Sequence, residues 1–222
     1  MQRSKNLISW AGPVLLLASF AASGPSMAAD ASHLTFVTHA AFFSAETKQP
    51  KSVDPHAFVA DAAAPVAVGP QNISHVAGFR PAFIDQDAMT VAISNAKGEA
   101  IGFTLGDWLA ASGSVTLTPA AGGKVEIAMS FDHLKPGGHY SLFENHFDQK
   151  PVGFTPLDGT ATTNDFVASA DGKAKLTIMA PQPLTHDNAV LLVYHSDGAA
   201  HGAQRGDIGV NAHHQLIARI PE

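Results

Sequence analysis

The chain has 222 residues, 45% of them hydrophobic, with 13 Lys and Arg against 19 Asp and Glu, 12 histidines, no cysteine and a formal net charge of −6 at pH 7. Without cysteine no disulfide can form and thiolate metal sites are excluded, so the fold has to be held by packing alone. So few cations argue against a nucleic-acid partner, which needs a basic stripe, and protonating half of the histidines would bring the charge close to zero.

Residues 1–28 have the three parts of a secretory signal peptide. Arg3 and Lys5 give the positive start, Leu7 to Ala22 is apolar apart from Gly12 and Pro13, and Ser26-Met27-Ala28 ends in small residues. Cleavage is expected after Ala28, with Ala31 as the alternative. The apolar run falls short of the ~20 residues that span a bilayer, which disfavours an uncleaved anchor. No later segment is apolar enough to span, so a periplasmic or secreted protein with no integral membrane segment after processing is expected. Roughly 190 remaining residues suit one domain with a substantial core.

Residues 29–86 carry a weak pattern. Leu34 to His39 suggests a first strand, which Ala40 to Ala45 could continue. Pro50, Pro55, Pro65, Pro70 and Pro81 then recur too closely for a regular helix. Residues 46–86 therefore read as an extended segment lying over the domain or partly fraying from it. Asn72-Ile73-Ser74 is formally a glycosylation sequon, of consequence only in a eukaryotic secretory pathway.

Residues 87–222 read as the sandwich domain. Asn95-Ala96-Lys97-Gly98 joins Met89–Ser94 to Glu99–Leu105, and Ala120 to Gly123 joins Gly113–Pro119 to Lys124–Phe131. Val125, Ile127, Met129 and Phe131 alternate with Glu126, Ala128 and Ser130, the mark of a strand with one buried face. Pro136-Gly137-Gly138 turns the chain into His139–Phe147, Asp171-Gly172 is expected to join Phe166–Ala170 to Lys173–Ala180, and Ala189–His195 and His214–Ile220 close the set. Only Asp107–Ala111 looks helical. Seven to nine short strands at this spacing predict an all-β, antiparallel Greek-key β-sandwich in one domain.

The candidate chemistry gathers near the end of the chain. His195 leaves an apolar run at its loop end, and Gly198 and Gly202 permit the turn that could bring His201 back to it. His213 and His214 are adjacent, so in an extended strand only one can face the same site. With His146 they offer three or four nitrogen ligands, a set suited to copper or zinc rather than to calcium or magnesium. Asp197 and Asp207 could complete the set or orient an imidazole. The alternatives are surface or structural histidines without metal, or an acid–base role. Glu144, flanked by apolar residues, either is buried against Arg205, Arg219 or a histidine or faces solvent with Tyr140. Arg205 in Arg205-Gly206-Asp207 is expected to pair with Asp197 or Asp207 and fix the loop, in preference to serving as an adhesion motif. Ser141 and Ser196 sit in no nucleophile elbow, and no P-loop, dinucleotide fingerprint or HExxH is present.

Residues 113–220 resemble the Cu,Zn superoxide dismutase family in layout. Gly113 to Thr118, Val125 to Leu134 and Pro136-Gly137-Gly138-His139 look like its strands leading to the copper-ligand strand. Val193-Tyr194-His195 with Asp197-Gly198 is similar to its late Val-Val-His segment, and Asn211-Ala212 with Leu216-Ile217 to its closing strand. The chain departs from the family at Ser141-Leu142-Phe143, near where the copper His-x-His would stand, and at His213-His214-Gln215, where Gly-Gly-Arg would stand. The family's disulfide cannot form. Among the family's copper ligands only His195 carries over, so the resemblance implies a superoxide dismutase-like or immunoglobulin-like sandwich and an extracytoplasmic home, and not dismutase activity.

The expectation is thus an exported β-sandwich that binds a divalent transition metal, copper foremost, through His195, His201, His213, His214 and His146, without catalysis. The rival readings are a divergent metal-dependent redox enzyme and an envelope interaction protein that holds no metal.

Overall fold

The computed structural model describes residues 31–222; the leader read at residues 1–28 lies outside the described residues. In chain order the strands are β1 (Ser32–Thr35), β2 (Val37–Thr38), β3 (Val53–Ala60), β4 (Ala67–Val68), β5 (Ser74–His75), β6 (Phe79–Phe83), β7 (Ala92–Ser94), β8 (Ala100–Thr104), β9 (Ser112–Pro119), β10 (Val125–Asp132), β11 (His139–His146), β12 (Gly153–Pro156), β13 (Asp165–Val167), β14 (Ala174–Ala180), β15 (Asn188–His195) and β16 (Ala212–Arg219). Helix α1 (His39–Glu46) follows β2, and α2 (Leu105–Leu109) follows β8. No described helix is long and apolar enough to cross a membrane.

Two antiparallel sheets form the sandwich, one ordered β1-β9-β10-β14 and the other β12-β11-β15-β16-β2, with β13 also on β11. The chain crosses from β10 to β11, returns to place β14 beside β10, and crosses again to place β15 beside β11, which is a Greek key. Ile127, Met129, Phe131 and Ile178 of the first sheet meet Tyr140, Leu142, Leu192 and Leu216 of the second in one core. Fully burying each such side chain contributes roughly 1.5–3 kcal/mol. In β10 buried and less buried residues alternate, whereas β15 is buried at all eight positions. The second sheet is covered on both faces, and its strands lose their alternation for that reason. Its far face carries Phe143, Leu191, Val193 and Ile217, with Phe42 of α1 and Phe154 packed over them.

The segment expected to lie extended over the domain or partly to fray from it is instead built into the fold as strands of a sheet. β3 is buried at seven of its eight positions and stands in a third sheet ordered β6-β3-β7-β8, so the boundary read at residue 86 runs through a sheet. The prolines are accommodated by position. Pro55 falls where the β3–β6 register shifts between Asp54 and Phe58, and Pro81 lies on the edge strand β6. Ala40 to Ala45 does not continue a strand, because Thr38 caps α1 by accepting a hydrogen bond from the Ala41 amide at 3.3 Å. Asp171-Gly172 does turn the chain, with Gly172 at φ 72°, yet the strands on either side part to different sheets, β13 to β11 and β14 to β10.

Candidate functional site

Two histidine groups are assembled around the second sheet, and the Ser196–Asn211 loop between β15 and β16 serves both. In the first, His195 and His201 come together with Asp197. Gly198 and Gly202, at φ 72° and 60°, allow the loop to fold back as expected. The His195 and His201 rings then lie 5.0 Å apart between centroids.

Hydrogen-bond logic fixes where the lone pairs are. An ionised carboxylate only accepts, so Ser141 Oγ donates to Asp165 and is left to accept from His195 Nε2 at 2.6 Å. His195 therefore carries its proton on Nε2 and its lone pair on Nδ1, which is buried and has no partner. By the same rule His201 Nε2 donates to Asp197 Oδ2 at 3.1 Å, so Nδ1 is the atom with which a neutral His201 ring would bind a metal. Asn211 also donates to Asp197 Oδ2, at 2.9 Å. Burial, and then the neighbouring His201, lower the His195 pKa to about 4, so its ring is neutral at pH 7. His139 lies directly across the ladder from His195.

The second group is His39, His56 and His214, which are 3%, 0% and 2% exposed. His39 opens α1, which the β2–β16 pairing brings to this face. His56 sits at the irregular part of β3, where Asp54 Oδ1 accepts from the His56 and Ala57 amides at 2.8 and 3.1 Å and Asp54 Oδ2 accepts from Trp108 Nε1 at 2.7 Å. His214 stands opposite Val193, next to a register shift in the β15–β16 ladder. The His56 and His214 rings lie 4.1 Å apart, and His39 meets them edge-on at 5.1 and 4.8 Å.

All three Nδ1 atoms are buried without a hydrogen-bond partner. His56 Nε2 donates to Gln71 Oε1 at 2.8 Å, while His214 Nε2 accepts from Arg205 Nη1 at 3.1 Å. Burial, with Arg205 adding, lowers His39 to about 3; burial and the neighbouring histidines hold His56 and His214 well below 6.5. His56 therefore keeps its lone pair on Nδ1, whereas neutral His214 carries its proton there while Arg205 donates to its Nε2. Neutral imidazoles suit divalent copper or zinc, and His214 joins such a set once its proton moves to Nε2 and Arg205 turns away. Both obstacles to a cation there, a positive charge and the His214 tautomer, trace to Arg205.

The other residues singled out in the sequence fall elsewhere. His213 faces the opposite side of β16, where its Nδ1 donates to the His56 carbonyl at 2.8 Å and its Nε2 meets Ser196 Oγ at 3.0 Å. It supports the backbone of His56 and belongs to neither group. His146 is at the far end of β11, paired with Asn188, while His195 pairs with His139, a separation of roughly 23 Å along the strand. Its Nε2 contacts Thr155 and its Nδ1 contacts Asn188, so it cannot join His195 or His214. Glu144 is buried, not solvent-facing, and lies 3.6 Å from His146; burial raises its pKa. Arg205 pairs with neither Asp197 nor Asp207 and lies over the Phe154 ring, 3.1 Å from its centroid. Asp207 acts through its backbone carbonyl, which accepts from the Val210, Asn211 and Ala212 amides. His39 and His56 escape a reading of the sequence because one ends an apparent strand and the other falls in the proline-rich segment.

No family model matches the chain, and no curated protein matches it. A solved structure of a double mutant of an SOD-like protein from Bacillus subtilis is similar at 15% identity, over 49% of this chain and 89% of that one, with a TM-score of 0.36. A likeness that distant says nothing about ligand or activity.

Proposed function

We propose that this is an exported β-sandwich protein that holds a divalent transition metal, copper or zinc, at His39, His56 and His214. The observation that carries the reading is three converging buried neutral rings whose Nδ1 atoms all lack a partner, since unpaired buried polar atoms are costly unless something binds them. Ligation through His214 Nδ1 requires its proton to move to Nε2 as Arg205 turns away. Their depressed pKa values mean that a metal displaces no protons at neutral pH. Binding without catalysis is the role assigned, and export rests on the leader at residues 1–28.

A second position at His195, Asp197 and His201 is supported by the wiring of His195. Its Nε2 is held by Ser141 and Asp165 while its Nδ1 is left open, the arrangement in which an outer carboxylate orients a metal-bound imidazole. The test is titration of EDTA-treated mature protein with Cu(II) and Zn(II), followed by elemental analysis after desalting. Retained metal that is lost in the variant H39A/H56A supports the buried site; retention unchanged by that variant, or no metal above background, refutes it.

A further inference from the structure

We infer that the cavity beside the buried histidines is a binding site for a small aromatic carboxylate that also carries a hydroxyl group, with Arg205 as the anchor of the carboxylate. The cavity has a volume of about 520 Å³, within the range of small-molecule sites. Its wall is largely aromatic and apolar, with Phe42, Phe147, Phe154 and Val152 among its residues.

Two polar groups in that wall are left without the partners they need. Arg205 has no carboxylate within 4.0 Å among the described residues. Its one protein hydrogen bond there runs from Nη1 to His214 Nε2, leaving its other N–H donors unused. Stacking on Phe154 covers a face of the guanidinium and leaves its donor edge for a ligand. The surrounding histidines are neutral and offer it no counter-charge. Glu46, the carboxylate in the wall, is engaged by Arg219 at 2.9 Å. A half-buried cation without a counter-ion in an apolar wall is matched by an anion, and a carboxylate fits the fork of the guanidinium in two places.

The second group is Asn145, 4% exposed, whose Oδ1 lacks a partner in the same wall. It calls for an O–H or N–H donor on the ligand. The ring of such a ligand would occupy the aromatic part of the cavity, where offset or edge contacts with phenylalanine are favourable.

This inference goes beyond the metal reading and does not depend on it. The test is calorimetric titration of EDTA-treated full-length protein with 4-hydroxybenzoate and 4-coumarate, and with their neutral amides. At least one acid is expected to bind below millimolar Kd, with its amide at least tenfold weaker. Arg205→Met, which keeps an apolar stem against Phe154, is expected to weaken the acid at least tenfold with its melting temperature retained. Equal binding of acid and amide, an undiminished Arg205→Met variant, or no binding of either acid overturns the proposal. Should Arg205→Met fail to fold, the comparison of acid with amide on the unmodified protein still decides. Metal titration is a separate experiment, so failure of one reading is distinguishable from failure of the other.

Discussion

The two histidine groups differ less in their rings than in what stands behind them. His195 and His201 are each backed by a carboxylate, Asp165 through Ser141 in one case and Asp197 directly in the other, and in each Nδ1 is the atom with which the neutral ring would bind a metal. His39, His56 and His214 have no carboxylate behind them; their contacts are an amide, a cation and one another. Burial keeps His195 and the three rings of the buried group neutral, but a carboxylate relay favours a cation while a guanidinium opposes one. Arg205 is thus the residue that sets the two groups apart, and it belongs as much to the cavity as to the metal site.

The sharpest break in this comparison is removal of two buried ligands. H39A/H56A is expected to cost one equivalent of retained metal, an affinity loss of about 100-fold or more at that site, while H195A/H201A leaves that equivalent in place. Titration of both variants with Zn(II) checks it. The reverse pattern would move the principal site to the loop.

Acid is expected to strike both groups together. His39 lies at about 3, His195 and His213 at about 4, and His56 and His214 well below 6.5, all chiefly through burial. As pH falls below 6.5 the unfolded chain takes up protons that the folded state refuses, so stability rises with pH across this window and is lost on acidification toward 4. Asp54, raised by burial to about 6, acts in the opposite sense between about 6 and 3.8, because the folded state holds that proton more tightly. One such carboxyl, with Glu144 raised in the same direction, offsets only part of five histidines. The urea midpoint of metal-free protein is expected to fall by on the order of 1–2 M between pH 7 and pH 5. Bound metal, which requires neutral imidazole, should shift that loss to lower pH.

Arg205→Met is expected to act on the two groups in opposite measure. Taking away a positive charge that also donates to His214 Nε2 should raise metal affinity at the buried group by about 100-fold, and leave the loop group within a few-fold. Competitive titration with a chromogenic chelator in the H195A/H201A and H39A/H56A backgrounds reads each site alone. An unchanged buried site would mean that the guanidinium withdraws on metal binding.

Much of the fold was legible because alternation and turn chemistry are local. Val125 to Phe131 announced a half-buried strand, and Asn95 to Gly98 a hairpin. What stayed hidden was non-local. His39 precedes the run of prolines and His56 falls within it, and nothing in their spacing says that β2 will pair with β16 or that β3 will bulge at Pro55. His146 and His213 were attractive in sequence as strand-end imidazoles. Strand parity places His213 on the other side of β16 from His214, and length along β11 separates His146 from His195. The pairing of His195 with Asp197 and His201 was legible because Gly198 and Gly202 make the loop's return a local matter.

The smallest effect expected, and the most specific to the loop group, is that of Ser141→Ala. Ser141 Oγ accepts from His195 Nε2 and passes the influence of Asp165 to the ring. Without it the Nε2 proton is buried with no acceptor, and the tautomer that carries its proton on Nδ1 becomes competitive. That tautomer presents N–H where a metal needs a lone pair. Zn(II) affinity at the loop group should fall by about tenfold, with the buried group untouched, and the remaining binding should weaken further only when His201 is also removed. Imidazole nitrogen shifts by NMR give the direct readout: in the unmodified metal-free protein His195 Nε2 should be protonated and Nδ1 bare, and in Ser141→Ala the two forms should mix. If the ring keeps a single tautomer and its affinity in the variant, the relay from Asp165 does not govern His195, and the contrast between the two groups reduces to Arg205 alone.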